Sequence, residues 1–478
     1  MRDTRCASPA SRGNSSPPSS GCGGGCRPDL RFVTARPQPA APSSNDRWVA
    51  RSLAAVWHPC TQMKAHESLP LVPLARARGV WLEDFDGRRI LDAVSSWWVN
   101  LFGHGEPRIR AAIEAQLGEL EHAMLAGFTH RPAVELAERL AALAPGTLGH
   151  AFFASDGASA TEIALKMSAH SWRNAGRPGK CRFACLRGSY HGETLGALSV
   201  TDVAIFRDAY APLLREPIIV PTPDSRLARD GRTAADVARE AGDALEACLA
   251  ANHESLAALI VEPLVQGAAG MVMYDASYLA RARELCTRYG VHLIADEIMT
   301  GFGRTGTMFA CEAGGIMPDL MLLSKGITGG FLPLACVLAS DAIYEAFYDD
   351  DVARAFLHSH SYTGNPLACR AALAVLDVFR DDYVIEANRA KASRWDALAA
   401  PLAAHPKVRD FRRRGMIIAF EVDADRPDAA RRALTAGLER GILLRPIGRT
   451  VYFMPPYVIA DDEFALLVER TGEVVHAL

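Results

Sequence analysis

The sequence has no marked charge imbalance, no membrane-spanning segment and no disulfide framework. Its 478 residues carry 52 basic and 55 acidic side chains, for a net charge of −3, and neither sign forms a block. We therefore expect no nucleic-acid partner. No apolar run is long enough to cross a bilayer, so no membrane association is expected. The eleven cysteines are scattered, which indicates buried thiols in a reducing compartment and predicts a cytoplasmic protein.

The sequence also offers no convincing metal site. Cys181 and Cys185 are four residues apart, but no second His/Cys pair completes a tetrahedral set of ligands. We expect no metal ion.

The first 45 residues differ in composition from the rest. They are rich in Ser, Pro, Gly, Arg and Ala and show no hydrophobic periodicity, which predicts a disordered extension. A transit peptide would share the Arg and Ser content, but the many prolines and glycines disfavour the amphipathic helix that such peptides need. We interpret the segment as a dispensable extension or an over-long gene start.

Strand and helix patterns alternate through most of the remaining chain. A hairpin is predicted over 79–92, with Asp86-Gly87 at its turn. The alternating pattern itself predicts βαβ units and a mainly parallel sheet. Its clearest elements are strands at 151–154, 257–262 and 291–296 and a helix at 278–289. The last hundred residues predict a smaller α+β domain, with a helix near 383–400 and strands at 416–422 and 450–453.

Two apolar runs end in residues that carry chemistry. One ends at Asp296 and the other at Lys325, which is followed by glycines. A lysine at a strand end can form a Schiff base with an aldehyde, and a buried aspartate can pair with a protonated pyridine nitrogen. Pyridoxal phosphate (PLP) chemistry requires both groups, because the cofactor is an electron sink only while its ring nitrogen is protonated. Taken singly, the lysine is explained as a solvated strand end and the aspartate as a helix or loop cap.

The surrounding motifs resemble those of the class III (ω-type) aminotransferases of PLP fold type I. They are Asp296-Glu297, then Gly303-Arg304-Thr305-Gly306, then Ser324-Lys325-Gly326. The resemblance runs from about Trp57 to the C-terminus. It implies an α/β fold, with a large PLP-binding domain over 101–375 built on a mainly parallel, seven-stranded sheet. A small α+β domain would comprise 46–100 and 376–478. It also implies that Asp296 binds the ring nitrogen and that Lys325 carries the cofactor.

Three further segments match cofactor contacts of that family. A helix starts after Ser155 or Asp156, and Gly157-Ala158 leave its first N–H groups open to an anion. By itself this is a plain capped helix, but the family places the PLP phosphate there. Tyr190 matches the aromatic residue that stacks on the ring and shares the catalytic site with Lys325 and Asp296. His360 and Ser361 match the loop that reaches the phosphate of the neighbouring subunit's cofactor, which implies a homodimer with shared active sites.

The substrate end of the site is predicted from a second set of residues. Tandem Trp97-Trp98 and an arginine before Pro-Ile-Gly, Arg445, are the most distinctive; tryptophans in tandem are otherwise explained as core or interface residues. The set resembles the biotin-pathway branch of the family, which moves an amino group from S-adenosylmethionine to 8-amino-7-oxononanoate. There the tryptophans wall the pocket and the arginine binds the substrate carboxylate. The implied substrate-binding residues are Cys60, Trp97, Trp98, Tyr190, Arg304, Lys325, Ser359 and Arg445.

Two positions depart from the family pattern. Cys60 stands where well-known members have tyrosine after Trp-His-Pro, and His360 stands where some have proline. A thiol is a poor hydrogen-bond donor, so recognition of the amino donor is open. The alternatives are an ω-aminotransferase that uses another amine, such as lysine or β-alanine, and a PLP-binding protein without catalysis. A pure binding protein would not need the carboxylate anchor at Arg445.

Overall fold

A computed structural model describes residues 43–69, 71–424 and 427–478. Within it, Ser44–Leu478 forms one compact unit. The predicted disordered extension lies outside the described residues up to residue 42, and its end near residue 45 stays a prediction. A helix already begins at Ser44, where the backbone N–H groups of Ser44 and Asn45 donate to Asp86 Oδ1 at 3.1 and 3.4 Å. That cap is supplied by a residue forty positions away, which local sequence patterns do not reveal.

The core of the fold is a seven-stranded sheet in the order β4-β12-β11-β10-β7-β5-β6. All its pairings are parallel except the two made by β12, so the predicted mainly parallel sheet is confirmed. Its strands are β4 (His150–Ala154), β5 (Arg182–Leu186), β6 (Ile218–Val220), β7 (Leu256–Val261), β10 (His292–Asp296), β11 (Leu320–Leu323) and β12 (Ala335–Ala339).

Three smaller sheets surround it. They are β1-β2-β3-β15, β13-β14-β16 and the pair β8-β9. The predicted hairpin is confirmed, since β2 and β3 pair antiparallel with Leu82 opposite Ile90. The division into domains at residues 100 and 375 stays a prediction. The strands are β1 (Leu74–Arg78), β2 (Trp81–Asp84), β3 (Arg89–Asp92), β8 (Val265–Gln266), β9 (Val272–Met273), β13 (Val408–Arg414), β14 (Ile417–Val422), β15 (Ile442–Leu443) and β16 (Thr450–Phe453).

Long helices cover the sheets. In α4 (Gly157–Asn174) the apolar residues at 160, 163, 164 and 167 are all buried, because a 3.6-residue period gathers them on the face that packs against β7, β11 and β12. The helices of eleven or more residues are α1 (Ser44–Ala55), α2 (Pro107–Leu117), α3 (Arg131–Leu143), α4 (Gly157–Asn174), α5 (Ala234–Asn252), α6 (Ser277–Tyr289), α7 (Pro366–Asp381), α8 (Val384–Ala403), α9 (Ala429–Glu439) and α10 (Asp461–Ala477). No helix in the described part of the chain is long and apolar enough to cross a membrane.

The sheet topology brings several strand ends to one edge. β4, β5, β7, β10 and β11 all run in the same direction, so their carboxyl ends lie side by side. In open α/β sheets this edge is where ligands bind. The predicted Asp296 and Lys325 both lie there.

Candidate active site

A lysine with an unusual backbone lies just beyond β11. Lys325 opens a short 3-10 turn, Lys325–Thr328, with a φ of +44°, which is uncommon for a residue with a side chain. Burial lowers the pKa of its amine to about 8, although the Asp296 and Glu262 carboxylates oppose the shift. At pH 7 about a tenth of this amine is therefore unprotonated and nucleophilic, far more than of an ordinary lysine.

The carboxylate at the end of β10 is buried and paired. Asp296 Oδ2 lies 2.7 Å from His191 Nδ1, and Asp296 Oδ1 accepts a hydrogen bond from the Ile298 N–H at 3.1 Å. Asp296 and His191 are 4% and 2% exposed. The hydrogen bonds hold the carboxylate in one orientation beside the Lys325 strand, because β10 and β11 are neighbours in the sheet.

A second buried carboxylate lies one strand away. Glu262 follows β7, and its two oxygens accept from the Tyr190 N–H at 3.1 Å and the Gly267 N–H at 2.9 Å. Burial raises the pKa of Glu262 to about 7; the nearby His191 opposes the shift and Asp296 adds to it. Glu262 thus fixes the backbone of the loop that carries Tyr190 and His191.

Tyr190 presents its ring from the loop after β5. Its hydroxyl donates to Glu193 Oε1 at 3.0 Å. Burial and the neighbouring Glu193 carboxylate hold the pKa of the phenol above its usual value, so the hydroxyl stays protonated. Tyr190 is therefore a hydrogen-bond donor and a planar surface, not a base.

The N-terminus of α4 is shaped to admit an anion. Asp156 is the N-cap, and its side chain accepts from the Ser159 N–H at 2.9 Å, so of the two predicted caps the structure selects Asp156. The first N–H groups of a helix have no partner within it. A Cβ at Gly192 would lie 2.5 Å from the Ala158 Cβ, and its φ is +122°, so only glycine fits there. A Cβ at Gly157 would lie 3.0 Å from the Ile298 Cδ1, so that side chain would have to shift.

The tandem tryptophans face two different groups. Trp97 is 40% exposed and stacks under Arg445, whose Cζ lies 4.3 Å from the ring centroid. Trp98 is 6% exposed; its Nε1–H donates to the Tyr452 hydroxyl at 3.0 Å, and the Lys325 Nζ lies 4.5 Å from its ring. The predicted pocket wall and carboxylate anchor therefore lie together, next to the lysine.

Cys60 also lies at this end of the site. Its Sγ is 3.8 Å from Glu193 Oε1. Partial burial and Glu193 raise the pKa of the thiol, while the Arg445 guanidinium opposes the rise. A thiol, a carboxylate and a guanidinium thus surround the same space.

Comparisons with known proteins identify the family. A sequence profile described as aminotransferase class-III matches residues 62–475. The chain belongs to the class III aminotransferases. It is 43% identical over 437 residues to an adenosylmethionine-8-amino-7-oxononanoate aminotransferase of Helicobacter pylori, covering 90% of this chain and 98% of the relative. A relative of the same name from Geobacter sulfurreducens is 39% identical over 88% of this chain and 96% of its own length.

Solved structures support the same family and fold. A crystal structure of adenosylmethionine-8-amino-7-oxononanoate aminotransferase from Methanocaldococcus jannaschii has a TM-score of 0.85 at 33% identity, covering 90% of this chain and 99% of that one. An omega transaminase from Pseudomonas jessenii, in complex with PMP, also has a TM-score of 0.85, at 28% identity over 90% and 97%. The predicted class III membership and PLP fold type I architecture are confirmed.

Arg304, in the motif Gly303-Arg304-Thr305-Gly306, was expected to bind substrate and is bound to backbone carbonyls in the structure. The guanidinium of Arg304 is fully buried and donates to the backbone carbonyls of Trp98, Asn100 and Pro455 at 3.2, 2.9 and 3.1 Å. Burial lowers its pKa. Arg304 braces the segment that carries the tryptophans, and its direct contact with substrate stays a prediction.

The loop before α7 carries three of the predicted site residues, Ser359, His360 and Ser361. His360 Nε2 is 3.3 Å from His358 Nε2, and the other ring nitrogen of His358, Nδ1, is 2.8 Å from the Lys166 Nζ. The Ser361 carbonyl accepts from His122 at 2.9 Å, and Ser359 and Ser361 are exposed. In the described residues none of them contacts Lys325 or Asp296, as a loop that serves a neighbouring subunit would require.

Sequence reasoning missed three residues of the site: His191, Glu193 and Glu262. His191 and Glu193 stand in the same loop as Tyr190, and Glu262 ends β7 as Asp296 ends β10. Acidic residues at the ends of adjacent parallel strands were therefore a usable signal. The pairing of His191 with Asp296 was not, because it joins residues 105 positions apart.

Proposed function

We infer that the protein is a PLP-dependent aminotransferase that moves the amino group of S-adenosylmethionine to 8-amino-7-oxononanoate, giving 7,8-diaminononanoate for biotin biosynthesis. The observation that carries this proposal is the convergence of Lys325, Asp296 and the tryptophan-stacked Arg445 on one edge of the sheet. The names of relatives that match nearly their whole length support the substrate pair.

The described residues fit PLP at each of its functional groups. Asp296 would hold the ring nitrogen, Tyr190 the ring face, Lys325 the aldehyde and the N-terminus of α4 the phosphate. The Nε2 of His191 supports the fit, because it is buried without a hydrogen-bond partner in the described part of the chain. Such a group is costly unless a bound molecule or water satisfies it.

Each side chain then has a defined task. Bound PLP supplies the electron sink. The Lys325 Nζ, with a pKa of about 8, would take the proton from the donor carbon that bears the amine and, in the second half of the reaction, deliver a proton to the keto carbon of the acceptor. The Asp296 carboxylate keeps the ring nitrogen protonated, and its bond to His191 keeps it in place. Arg445 holds the carboxylate of the acceptor beside Trp97 and Trp98.

A homodimer with shared active sites is part of the same proposal. The exposed Ser361 and the neighbouring His360 would serve the phosphate of the partner's cofactor. A mixture of Lys325→Ala chains with Ser361→Ala chains, unfolded and refolded together, tests this. Shared sites predict that the mixed dimer keeps one site with both residues and one with neither, and therefore has half the wild-type activity. Separate sites predict half the activity of the Ser361→Ala dimer.

A donor screen tests the substrate assignment. S-adenosylmethionine and lysine are offered separately with 8-amino-7-oxononanoate, and 7,8-diaminononanoate is measured by mass spectrometry, with Lys325→Ala as the inactive control. We expect product with S-adenosylmethionine. Product with lysine alone would assign the second candidate, an aminotransferase that uses another amino donor; the thiol at Cys60, where well-known members have tyrosine, is the departure that motivates the screen. Product with neither donor would refute the assignment.

A further inference from the structure

Four consecutive residues of the pocket wall have a left-handed backbone. The φ angles of Ser95, Ser96, Trp97 and Trp98 are +51°, +46°, +69° and +74°, and none is glycine. The backbone nevertheless closes a helical turn, since the Trp98 N–H donates to the Val94 carbonyl at 2.8 Å. Residues with a Cβ visit this conformation singly and at a cost. A run of four therefore persists only if surrounding contacts hold it.

A buried carboxylate holds the middle of the turn. Asp92 ends β3 and is fully buried. Its Oδ2 accepts from the Ser96 hydroxyl at 2.8 Å and lies 3.2 Å from His104 Nε2, while its Oδ1 accepts from the Val94 N–H at 3.2 Å. Hydrogen bonds to an ionised acceptor are about twice as strong as neutral ones. The Ser96 side chain is thus bound to a buried group in the middle of the left-handed turn.

Other contacts fix the two ends of the turn. The Ser95 hydroxyl donates to the Met454 carbonyl at 2.7 Å. At the far end the Trp98 carbonyl accepts from Arg304 at 3.2 Å, and the Trp98 ring donates to Tyr452. Between these ends, the Trp97 ring makes no hydrogen bond with the described residues, so its position depends on the backbone of the turn.

The turn decides where both indole rings point. Trp97 meets Arg445 and Trp98 meets Lys325, so one strained turn serves the carboxylate anchor and the reacting amine together. If Ser96 relaxed to a right-handed conformation, the peptide planes on both sides would rotate and carry the two rings away from these partners.

We propose that Asp92 and Ser96 are positioning residues, which hold the left-handed turn and thereby set the shape of the pocket for both substrates. Neither touches the cofactor or the reacting atoms. The inference depends on the proposed function only for the identity of the substrates.

Two replacements of Ser96 separate the effect of its hydrogen bond to Asp92 from the effect of its left-handed backbone. Ser96→Ala removes the hydroxyl and leaves a Cβ at positive φ, whereas Ser96→Gly removes the hydroxyl and also the steric cost. If the hydrogen bond from Ser96 to Asp92 holds the turn, the affinity for both substrates should fall from wild type to Ser96→Gly and again to Ser96→Ala. We expect Ser96→Ala to raise KM for both substrates about tenfold, with kcat and PLP affinity each within about twofold of wild type.

Fluorine NMR reports on the turn without turnover. The chain has seven tryptophans, and fluorotryptophan labelling gives one resonance for each, with those of Trp97 and Trp98 assigned from Trp97→Phe and Trp98→Phe. Ser96→Ala and Asp92→Asn should shift or broaden these two resonances and leave the other five in place. Ser168→Ala is the matched control, because it removes a buried hydroxyl, 2.9 Å from His292 Nδ1, elsewhere in the fold.

The outcomes are distinct. The positioning role is supported if the fluorine shifts are confined to Trp97 and Trp98 and the substrate affinity falls from wild type to Ser96→Gly to Ser96→Ala. Wild-type or better KM in Ser96→Gly would overturn it, as would unmoved Trp97 and Trp98 resonances in both Ser96→Ala and Asp92→Asn. Should the wild-type protein turn over neither substrate, the proposed function fails, and the fluorine spectra still decide the role of Asp92 and Ser96.

Discussion

Replacing Arg445 by alanine should weaken binding of the acceptor while leaving the cofactor site intact. The guanidinium lies over Trp97, and no carboxylate of the described residues forms an ion pair with it. Its charge is therefore free for a substrate. An acceptor carboxylate that enters beside Trp97 and Trp98 leaves water, and without Arg445 it would be buried unpaired.

The size of the effect follows from that lost pair. Removing one partner of a buried, hydrogen-bonded charge pair costs about 2–5 kcal/mol, which corresponds to a rise in KM for 8-amino-7-oxononanoate of about 30-fold to several thousand-fold. Trp97 is 40% exposed, so water reaches this end of the pocket and the lower part of the range is expected. Arg445→Lys should recover only part of the loss, since an ammonium cannot make the planar two-point contact.

The assay measures KM for the acceptor at saturating donor, and PLP affinity by titration of the apoprotein. Arg440→Ala is the matched control: it removes an arginine from the same segment, one that is paired with Glu473 at 2.9 Å. It should leave KM unchanged. A normal KM in Arg445→Ala would show that another group binds the carboxylate. Arg304 would be the first alternative, although its three backbone partners argue against it.

Three further results are expected. Lys325→Ala should abolish transamination with the fold and dimer retained, and turnover at a sizeable fraction of wild type would refute the lysine assignment. Because burial lowers the pKa of Lys325 from 10.5 to about 8, its charge destabilises the folded apoprotein below about pH 8, and this penalty fades as pH rises towards 10.5. In urea unfolding at about pH 7, the free energy of unfolding of Lys325→Met should therefore exceed that of wild type by about 2–3 kcal/mol, and the difference should close at high pH. A difference that stays constant with pH would exclude titration of Lys325 as its cause. A chain starting at Ser43 should melt at the same temperature as the full chain. A chain starting at Arg51 should lose about 1–3 kcal/mol of unfolding free energy, since it lacks the α1 cap at Asp86 and the Trp48–Phe85 stack at 5.1 Å. Equal melting temperatures of the two truncated chains would show that the start of α1 contributes nothing to stability.

Sequence patterns predicted the groups that lie at the ends of regular elements. Asp296 and Lys325 follow apolar strands, and parallel strands bring their carboxyl ends to one edge, so their proximity follows from topology. The buried face of α4 follows from its period. The positions of Trp97 and Arg445 came from the family resemblance, because they lie on separate segments whose meeting depends on how β3 pairs with β15.

Contacts between distant residues could not be predicted in the same way. Glu262 contacts Tyr190 across 72 positions, and α1 is capped by Asp86 across about forty. Each is a polar contact between segments that only the packed fold brings together, and neither leaves a periodic trace in the sequence. The start of α1 at Ser44 was consequently not predicted, since the contacts of Ser44 and Asn45 with Asp86 exist only in the folded chain.

The left-handed turn shows why local preference alone is a poor guide at such a site. Serine and tryptophan both disfavour positive φ, so Ser95 to Trp98 would be expected as an ordinary strand end or helix start. Four residues at about 1–2 kcal/mol each make the turn several kcal/mol less favourable than a right-handed one. Comparable stabilisation is available only from partners that are themselves buried, such as Asp92, Met454 and Arg304. The strain is therefore tolerated because the core on three sides is already built, and a change in any of these partners should be detected first in the positions of Trp97 and Trp98.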